Sequence, residues 1–286
     1  MRDGRVLEVG VSGPKDGTGL VFHHGTPGSI LSFDPFIQST LSRGLRYISY
    51  SRPGYANSSR RPGRSIGECS KDVEEILDQI QAHRCYVIGW SGGGPHALAC
   101  AALLPDRVIA ASTIAGVAPY GLGGLDWLGG MGRENIEEFH AALAGEDELK
   151  SFLAAAAHGF SGVTPDRIIS ALGDLVDEVD KAALTDKFAT FLVENSRVAL
   201  ENGFWGWFDD DIAFTRDWGF DLSQTRVPVN VWQGAKDRMV PFAHGRWLAE
   251  HIPGARPHLL PHQGHLSLAI NAFDEILDDL MSTSPT

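Results

Sequence analysis

The residues most able to do chemistry lie in the stretch Gly89-Trp90-Ser91-Gly92-Gly93, a serine set among glycines. It stands between the apolar run "CYVIGW" and the Ala/Leu-rich run "HALACAALL". The pattern satisfies G-x-S-x-G, in which a sharp strand-to-helix turn lifts a nucleophilic hydroxyl above a sheet. Gly89 and Gly93 would then permit the tight turn, and the helix N-terminus behind the serine would favour negative charge. A dinucleotide fingerprint is excluded, because it needs glycine where Ser91 stands and no acidic residue ends the next strand. A phosphate-binding P-loop is excluded too: Pro95-His96 replaces the Lys-Ser/Thr pair. A helix-capping serine stays open on the pentapeptide alone.

A serine hydroxyl is a weak nucleophile and needs a base, usually histidine, oriented by a carboxylate. On an α/β sheet these should follow in the order Ser, acid, His, each just past a strand end. Asp237 follows the strand-like "VNVWQG" at once, and His265 lies in "HQGHLSL" after "RPHLLP". His262 competes, but His265 follows Gly264 and starts the last helix, a bend that can aim the ring back at the sheet. Each also has a plainer reading, Asp237 as a turn residue and His265 as an exposed loop histidine. The order and context of all three favour the catalytic one. An acyl-transfer site must further stabilise an oxyanion with N–H donors. Gly92, the residue after the nucleophile, offers one. The loop "HHGTPG" after an early strand offers Thr26, whereas Pro27 has no N–H.

The elements that must position these residues read as an alternation of strands and helices from about residue 19 to residue 116. Apolar strands of this kind are covered on both faces, as in a parallel sheet with helices on either side. The spacing predicts a helix over "SIGECSKDVEEILDQIQAH", with Val73, Ile76, Leu77 and Ile80 on one face and Ser65/Glu68 as a capping box. From Ala118 to Phe214 no strand is convincing, only a Gly-rich bend and helix-like pieces. The α/β pattern then resumes. Residues 1–117 and 215–286 therefore read as one core, and 118–214 as a helical insertion that caps it.

Composition narrows the classes. A net charge of −12 disfavours nucleic acid, which needs clustered cations. The one basic cluster, "RRPGR" at Arg60–Arg64, reads as a solvated Pro/Gly loop. Cys69, Cys85 and Cys100 fit neither a disulfide framework nor a metal site, which suits a reducing, cytoplasmic setting. No signal-peptide region and no apolar run long enough for a membrane span is visible.

The pieces "HHGTPG", "SYSRPGYANS", "GWSGGG", "QGAKD" and "QGH" resemble the α/β-hydrolase superfamily, over about residues 19 to 281. The resemblance implies an eight-stranded, mostly parallel, doubly wound sheet, a helical cap inserted after the sixth strand, and no cofactor. It implies Ser91 as nucleophile, Asp237 as acid, His265 as base, and Gly92 and Thr26 as the oxyanion donors. The capped proline iminopeptidase and small-ester hydrolase branches are the most similar. Iminopeptidases usually read H-G-G-P-G and G-x-S-W-G; here Thr26 replaces the second glycine and Gly92 the tryptophan. Haloalkane dehalogenases use Asp where Ser91 stands.

In the insertion, Phe204, Trp205, Trp207 and Phe208 would line an apolar pocket or pack the cap on the core, the second being favoured. Asp209, Asp210 and Asp211 would hold a substrate ammonium or form a solvated N-terminal helix turn, again with the second favoured. Trp90, beside the nucleophile, is the expected substrate neighbour. The expected activity is hydrolysis of a small carboxylic ester. An aminopeptidase with the same triad, and a non-catalytic small-molecule receptor on the same fold, are the alternatives.

Overall fold

The computed structural model describes residues 1–282. The chain runs β1 (Val9–Ser12), β2 (Gly19–His23), α1 (Asp34–Ser42), β3 (Arg46–Tyr50), α2 (Cys69–Gln79), β4 (Cys85–Trp90), α3 (Gly94–Leu103) and β5 (Val108–Ile114). Helices alone follow: α4 (Arg133–Ala144), α5 (Glu146–Ser161), α6 (Ile168–Leu172), α7 (Glu178–Ala183), α8 (Asp186–Ala199) and α9 (Trp205–Phe214). The alternation returns with β6 (Val229–Gly234), α10 (Phe242–His251), β7 (Arg256–Leu260) and α11 (His265–Ser282).

The strands form one sheet in the order β1-β3-β2-β4-β5-β6-β7, parallel except for the β1–β3 pair. Among the described residues it has seven strands, not eight, and the helical segment follows the fifth. Ahead of β1 the backbone is engaged by a loop and not by the sheet. Val6 and Glu8 donate their N–H groups to the hydroxyls of Ser59 and Ser58, and the Val6 carbonyl accepts from the Ser59 N–H. Backbone groups satisfied by a loop are not available to a sheet edge.

Alternate residues of each strand feed opposite faces. Val21 and Val87 point into the layer covered by α2, α3 and α10, whereas Leu20, Phe22 and Ile88 point into the layer covered by α1 and α11. Phe36 of α1 stacks on Phe273 of α11 at 4.0 Å, which joins the two helices of the second layer. On α2, Val73, Ile76 and Leu77 are buried as their spacing predicts. The Glu68 carboxylate reaches the Ser65 N–H at 3.3 Å, although residues 66–68 form a 3-10 turn before α2 begins.

Strand order reverses beside β2: β3 lies on one side and β4 on the other. Chain segments leaving the C-terminal ends of β2 and β4 therefore diverge and open a crevice, the usual ligand position in such sheets. The loop carrying Thr26 and the turn carrying Ser91 both start there.

Candidate active site

Ser91 is the first residue after β4 and begins a one-turn 3-10 helix that leads into α3. Its φ is +56°, in the left-handed region that non-glycine residues rarely adopt. Such strain persists where surrounding structure over-determines it. Here the packing is tight enough that a Cβ on Gly89 would fall 2.1 Å from the Gly93 carbonyl oxygen. Strand and helix thus approach closely enough to force the turn.

Asp237 and His265 are brought together. The Asp237 Oδ2 to His265 Nδ1 distance is 2.8 Å, with both side chains buried. Asp237 is held on its other side by the N–H groups of Met239 (2.9 Å) and Val240 (2.8 Å) at Oδ1. Gln233 Nε2 donates to Oδ2 at 3.1 Å. Burial raises the Asp237 carboxyl above its ordinary value, opposed by the charge of His265 and by the hydrogen bonds. For His265, burial disfavours the imidazolium, but the Asp237 charge and hydrogen bond, reinforced by Asp180, outweigh it and leave the ring more basic than usual. His262 is exposed. The Trp90 ring lies 5.9 Å from that of His265. Trp90, Ser91, His265 and Thr26 line one cavity of about 110 Å³. Among the described residues no hydrogen bond joins the Ser91 hydroxyl to His265, and such contacts often tighten only when substrate binds.

One residue near His265 escaped the sequence reading. Asp180 of α7 is fully buried, and its carboxylate accepts from the N–H groups of His265 (2.9 Å), Leu266 (3.0 Å) and Ser267 (2.8 Å). It therefore satisfies the orphan donors at the N-terminus of α11 as an N-cap does. The carboxylate comes from 85 residues away in the chain. In the sequence Asp180 is one acid among several in "DLVDEVD", and nothing local distinguishes it.

Thr26 and Gly92 are also adjacent: a Cβ on Gly92 would lie 2.3 Å from Thr26 Oγ1. Thr26 Oγ1 in turn donates to Asp210 Oδ2 at 2.8 Å. Asp210, on α9, is the centre of a buried cluster. Arg52 Nη2 donates to Oδ2 at 2.6 Å, Tyr55 Oη to Oδ2 at 2.8 Å and Arg64 Nη2 to Oδ1 at 2.5 Å. Burial opposes ionisation of Asp210, yet the Arg52 and Arg64 guanidiniums, with His96 nearby, hold it well below the usual carboxylate range. Its neighbour Asp209 takes Arg60 through Nε (2.9 Å) and Nη2 (3.0 Å), and the Arg60 guanidinium lies 4.1 Å over the Trp205 ring.

These contacts correct two expectations. The "RRPGR" stretch is not a solvated loop, since Arg64 is buried and Arg60 half-buried against α9. Asp209–Asp211 are not a solvated N-terminal turn. α9 begins at Trp205, so the three acids sit in mid-helix and are buried. Buried carboxylates need counter-charges, and the arginines meet that need for two of the three.

A second cavity, about 430 Å³, also reaches Ser91, Gly92 and Thr26. Its walls are mainly apolar, with Phe139, Phe160, Trp207 and Phe214 among them, and its polar edge includes Glu138 and Asp211. Of the four aromatic residues at the end of the helical segment, only Trp207 lines it. Phe208 is buried, and Phe204 and Trp205 pack on each other. All three cysteines are free and buried. Among the described residues no cluster suited to a metal ion occurs, and no helix is long and apolar enough to cross a membrane.

Fold and site together define a class of α/β protein with a serine at a strand-helix turn. Residues 19–272 match the family described as alpha/beta hydrolase fold, and the chain belongs to that family. An uncharacterized hydrolase of Bacillus subtilis is 27% identical over 267 residues, covering 92% of this chain and 89% of that protein. A pimeloyl-[acyl-carrier protein] methyl ester esterase of Nitrosomonas europaea is 27% identical over 252 residues, covering 87% of this chain and 89% of its own length. Among solved structures, a bromoperoxidase from Bacillus anthracis superimposes with a TM-score of 0.69 at 24% identity, covering 97% of this chain and 96% of that one. At that identity the likeness speaks for the fold alone.

Replacing Asp210 with Ala should strand two buried guanidiniums and cost about 3–5 kcal/mol of stability, the usual result of breaking a buried ion pair from one side. Urea unfolding of the purified variant checks this; a midpoint within experimental error of wild type would refute it.

Proposed function

We propose that this chain is a serine hydrolase that cleaves a small carboxylic ester through an acyl-enzyme. One observation carries the reading. Ser91, strained at its turn, opens onto the same cavity as an imidazole whose Nδ1 is held by a buried carboxylate. The methyl ester esterase among the relatives supports an ester as substrate.

In this reading the Ser91 hydroxyl attacks the ester carbonyl carbon while His265 Nε2 takes its proton. Asp237 keeps the second proton on Nδ1 and stabilises the imidazolium that forms. The negative oxygen of the tetrahedral intermediate accepts from the N–H groups of Gly92 and Thr26. The contact of Thr26 with Gly92 supports this role, as does the Thr26 N–H, which has no acceptor among the described residues. Collapse breaks the bond to the alcohol, which leaves with the proton from His265. Water then attacks the acyl-enzyme by the same route, and the acid departs with Ser91 restored. No cofactor enters any step.

We read α4–α9 as a cap over the sheet, with residues 1–117 and 215–286 as the core beneath. Its Phe139, Phe160 and Trp207 supply apolar walls suited to the acyl or alcohol part, and Trp90 packs beside the reacting atoms. Asp180 acts as a positioning residue, since it fixes the backbone that carries His265 and adds negative charge behind the ring. The free cysteines support a cytoplasmic setting.

Wild-type protein should react with a fluorophosphonate probe and hydrolyse p-nitrophenyl acetate or butyrate faster than a prolyl arylamide. Ser91→Ala should abolish labelling while staying folded by circular dichroism. Labelling that survives would remove Ser91 from the role, preference for the arylamide would favour an aminopeptidase, and ligand binding without turnover a receptor. Asp237→Asn should lower kcat by about 10⁴-fold, the cost of the wrong imidazole tautomer in such sites; a near-normal rate would assign the acid elsewhere.

The base must be neutral to accept a proton, so kcat/KM should fall as pH drops through the His265 pKa. That pKa lies above the ordinary value of about 6.5 because nearby negative charge favours the imidazolium. Asp180→Asn removes part of that charge and should move the acid limb to lower pH. A loss of rate with the limb unmoved would leave Asp180 a purely structural role.

A further inference from the structure

Asp209, Asp210 and Asp211 are consecutive on α9, so helical geometry sends their carboxylates in three directions. Arg60 neutralises the first, and Arg52 and Arg64 the second. Asp211 has no cationic partner among the described residues. It is fully buried, neither of its oxygens accepts a hydrogen bond from a protein donor, and it lines the larger cavity beside Ser91.

What Asp211 does meet is another acid. Glu138 of α4 lies within hydrogen-bond reach of it and lines the same cavity. Glu138 is fixed by Trp207, whose Nε1 donates to Oε1 at 2.7 Å. Glu134, one turn earlier on α4, adds a third carboxylate to the wall, with Oε2 buried and unpartnered. Two carboxyls in contact cannot both ionise unless a positive charge or a proton stands between them. A proton serves at neutral pH: burial above all pushes Glu138 up to about 7, and burial with the Glu138 charge holds Asp211 well above the carboxylate range. A ligand cation would take the place of that proton. The rest of the wall suits it, since Phe139, Phe152, Phe160, Trp207 and Phe214 line the same cavity, and aromatic rings favour a cationic group and bury an apolar body.

We propose that Asp211 and Glu138 form a subsite for a protonated amine, so that the favoured substrate is an apolar ester bearing an ammonium group. The substrate half of this statement rests on the serine hydrolase reading; the subsite does not. The contrast along one helix carries it: two acids are matched by arginines from the protein, and the third is left to face the cavity.

Calorimetric titration with n-hexylammonium chloride and with 1-hexanol tests the subsite with probes of equal chain length. Wild type should bind hexylammonium at least about tenfold more tightly than hexanol, as a desolvated charge pair with aromatic walls allows. Asp211→Asn and Glu138→Gln should each remove most of that preference. Equal affinities in wild type, or a preference that survives both substitutions, would overturn the proposal; the wild-type comparison decides even where a variant does not fold. Fluorophosphonate labelling of the same preparations separates the two readings. Labelled protein without ammonium preference loses the subsite alone, and ammonium preference without labelling loses the serine hydrolase alone.

Discussion

The carboxylate of Asp210 ties three separate stretches of chain into one arrangement. It is fully buried and receives hydrogen bonds from Arg52 and Tyr55 after β3, Arg64 in the following loop and Thr26 after β2. An ion in such a place is tolerable only when counter-charges and donors saturate it. That demand orients α9 against the sheet edge and, through Thr26, sets one wall of the site. It also sets the direction of the next side chain. With Asp210 directed at the arginines, Asp211 on the same helix turns toward the cavity. The place of Asp211 on the polar edge of an otherwise apolar pocket is thus a geometric consequence of the charge cluster behind it.

His265 is held by two acids of different kinds. Asp237 contacts the His265 ring, whereas Asp180 contacts the backbone where α11 begins. One sets the tautomer, and the other sets the position of the residue and satisfies donors that a helix start leaves unpaired. Because Asp180 belongs to α7, the helical segment between β5 and β6 shapes the His265 loop directly. The start of α11 thus depends on a carboxylate from the helical segment as well as on its own neighbours in the chain.

How much was legible in advance differs by residue. The buried strands, the turn at Ser91 and the two loops after β6 and β7 were readable because each is signalled locally, by apolar runs, glycines and abrupt changes of pattern. The preference for His265 over His262 likewise rested on a bend that the neighbouring glycine announces, and the ring of His265 is the one bound to Asp237. The eighth strand that the resemblance implies has no counterpart among the described residues, and ahead of β1 Val6 and Glu8 find partners in Ser58 and Ser59, a pairing no local pattern reveals. The arginines of "RRPGR" and the acids of α9 were each read as solvated, since each set viewed alone is a run of like charge. The pairs that meet, Arg60 with Asp209 and Arg64 with Asp210, are 149 and 146 residues apart in the chain.

By itself, the sequence determined the alternation of elements, the place of the serine turn and the order of the residues that could serve it, because those depend on neighbours within a few positions. Only the tertiary structure decided which charges are buried and what compensates them. The pairing of Asp210 with Arg52 and Arg64, the capping of α11 by Asp180 and the confrontation of Asp211 with Glu138 all join segments that share no local pattern. The physical reason is that a charge acts through space and its cost depends on burial, and both are properties of the folded chain.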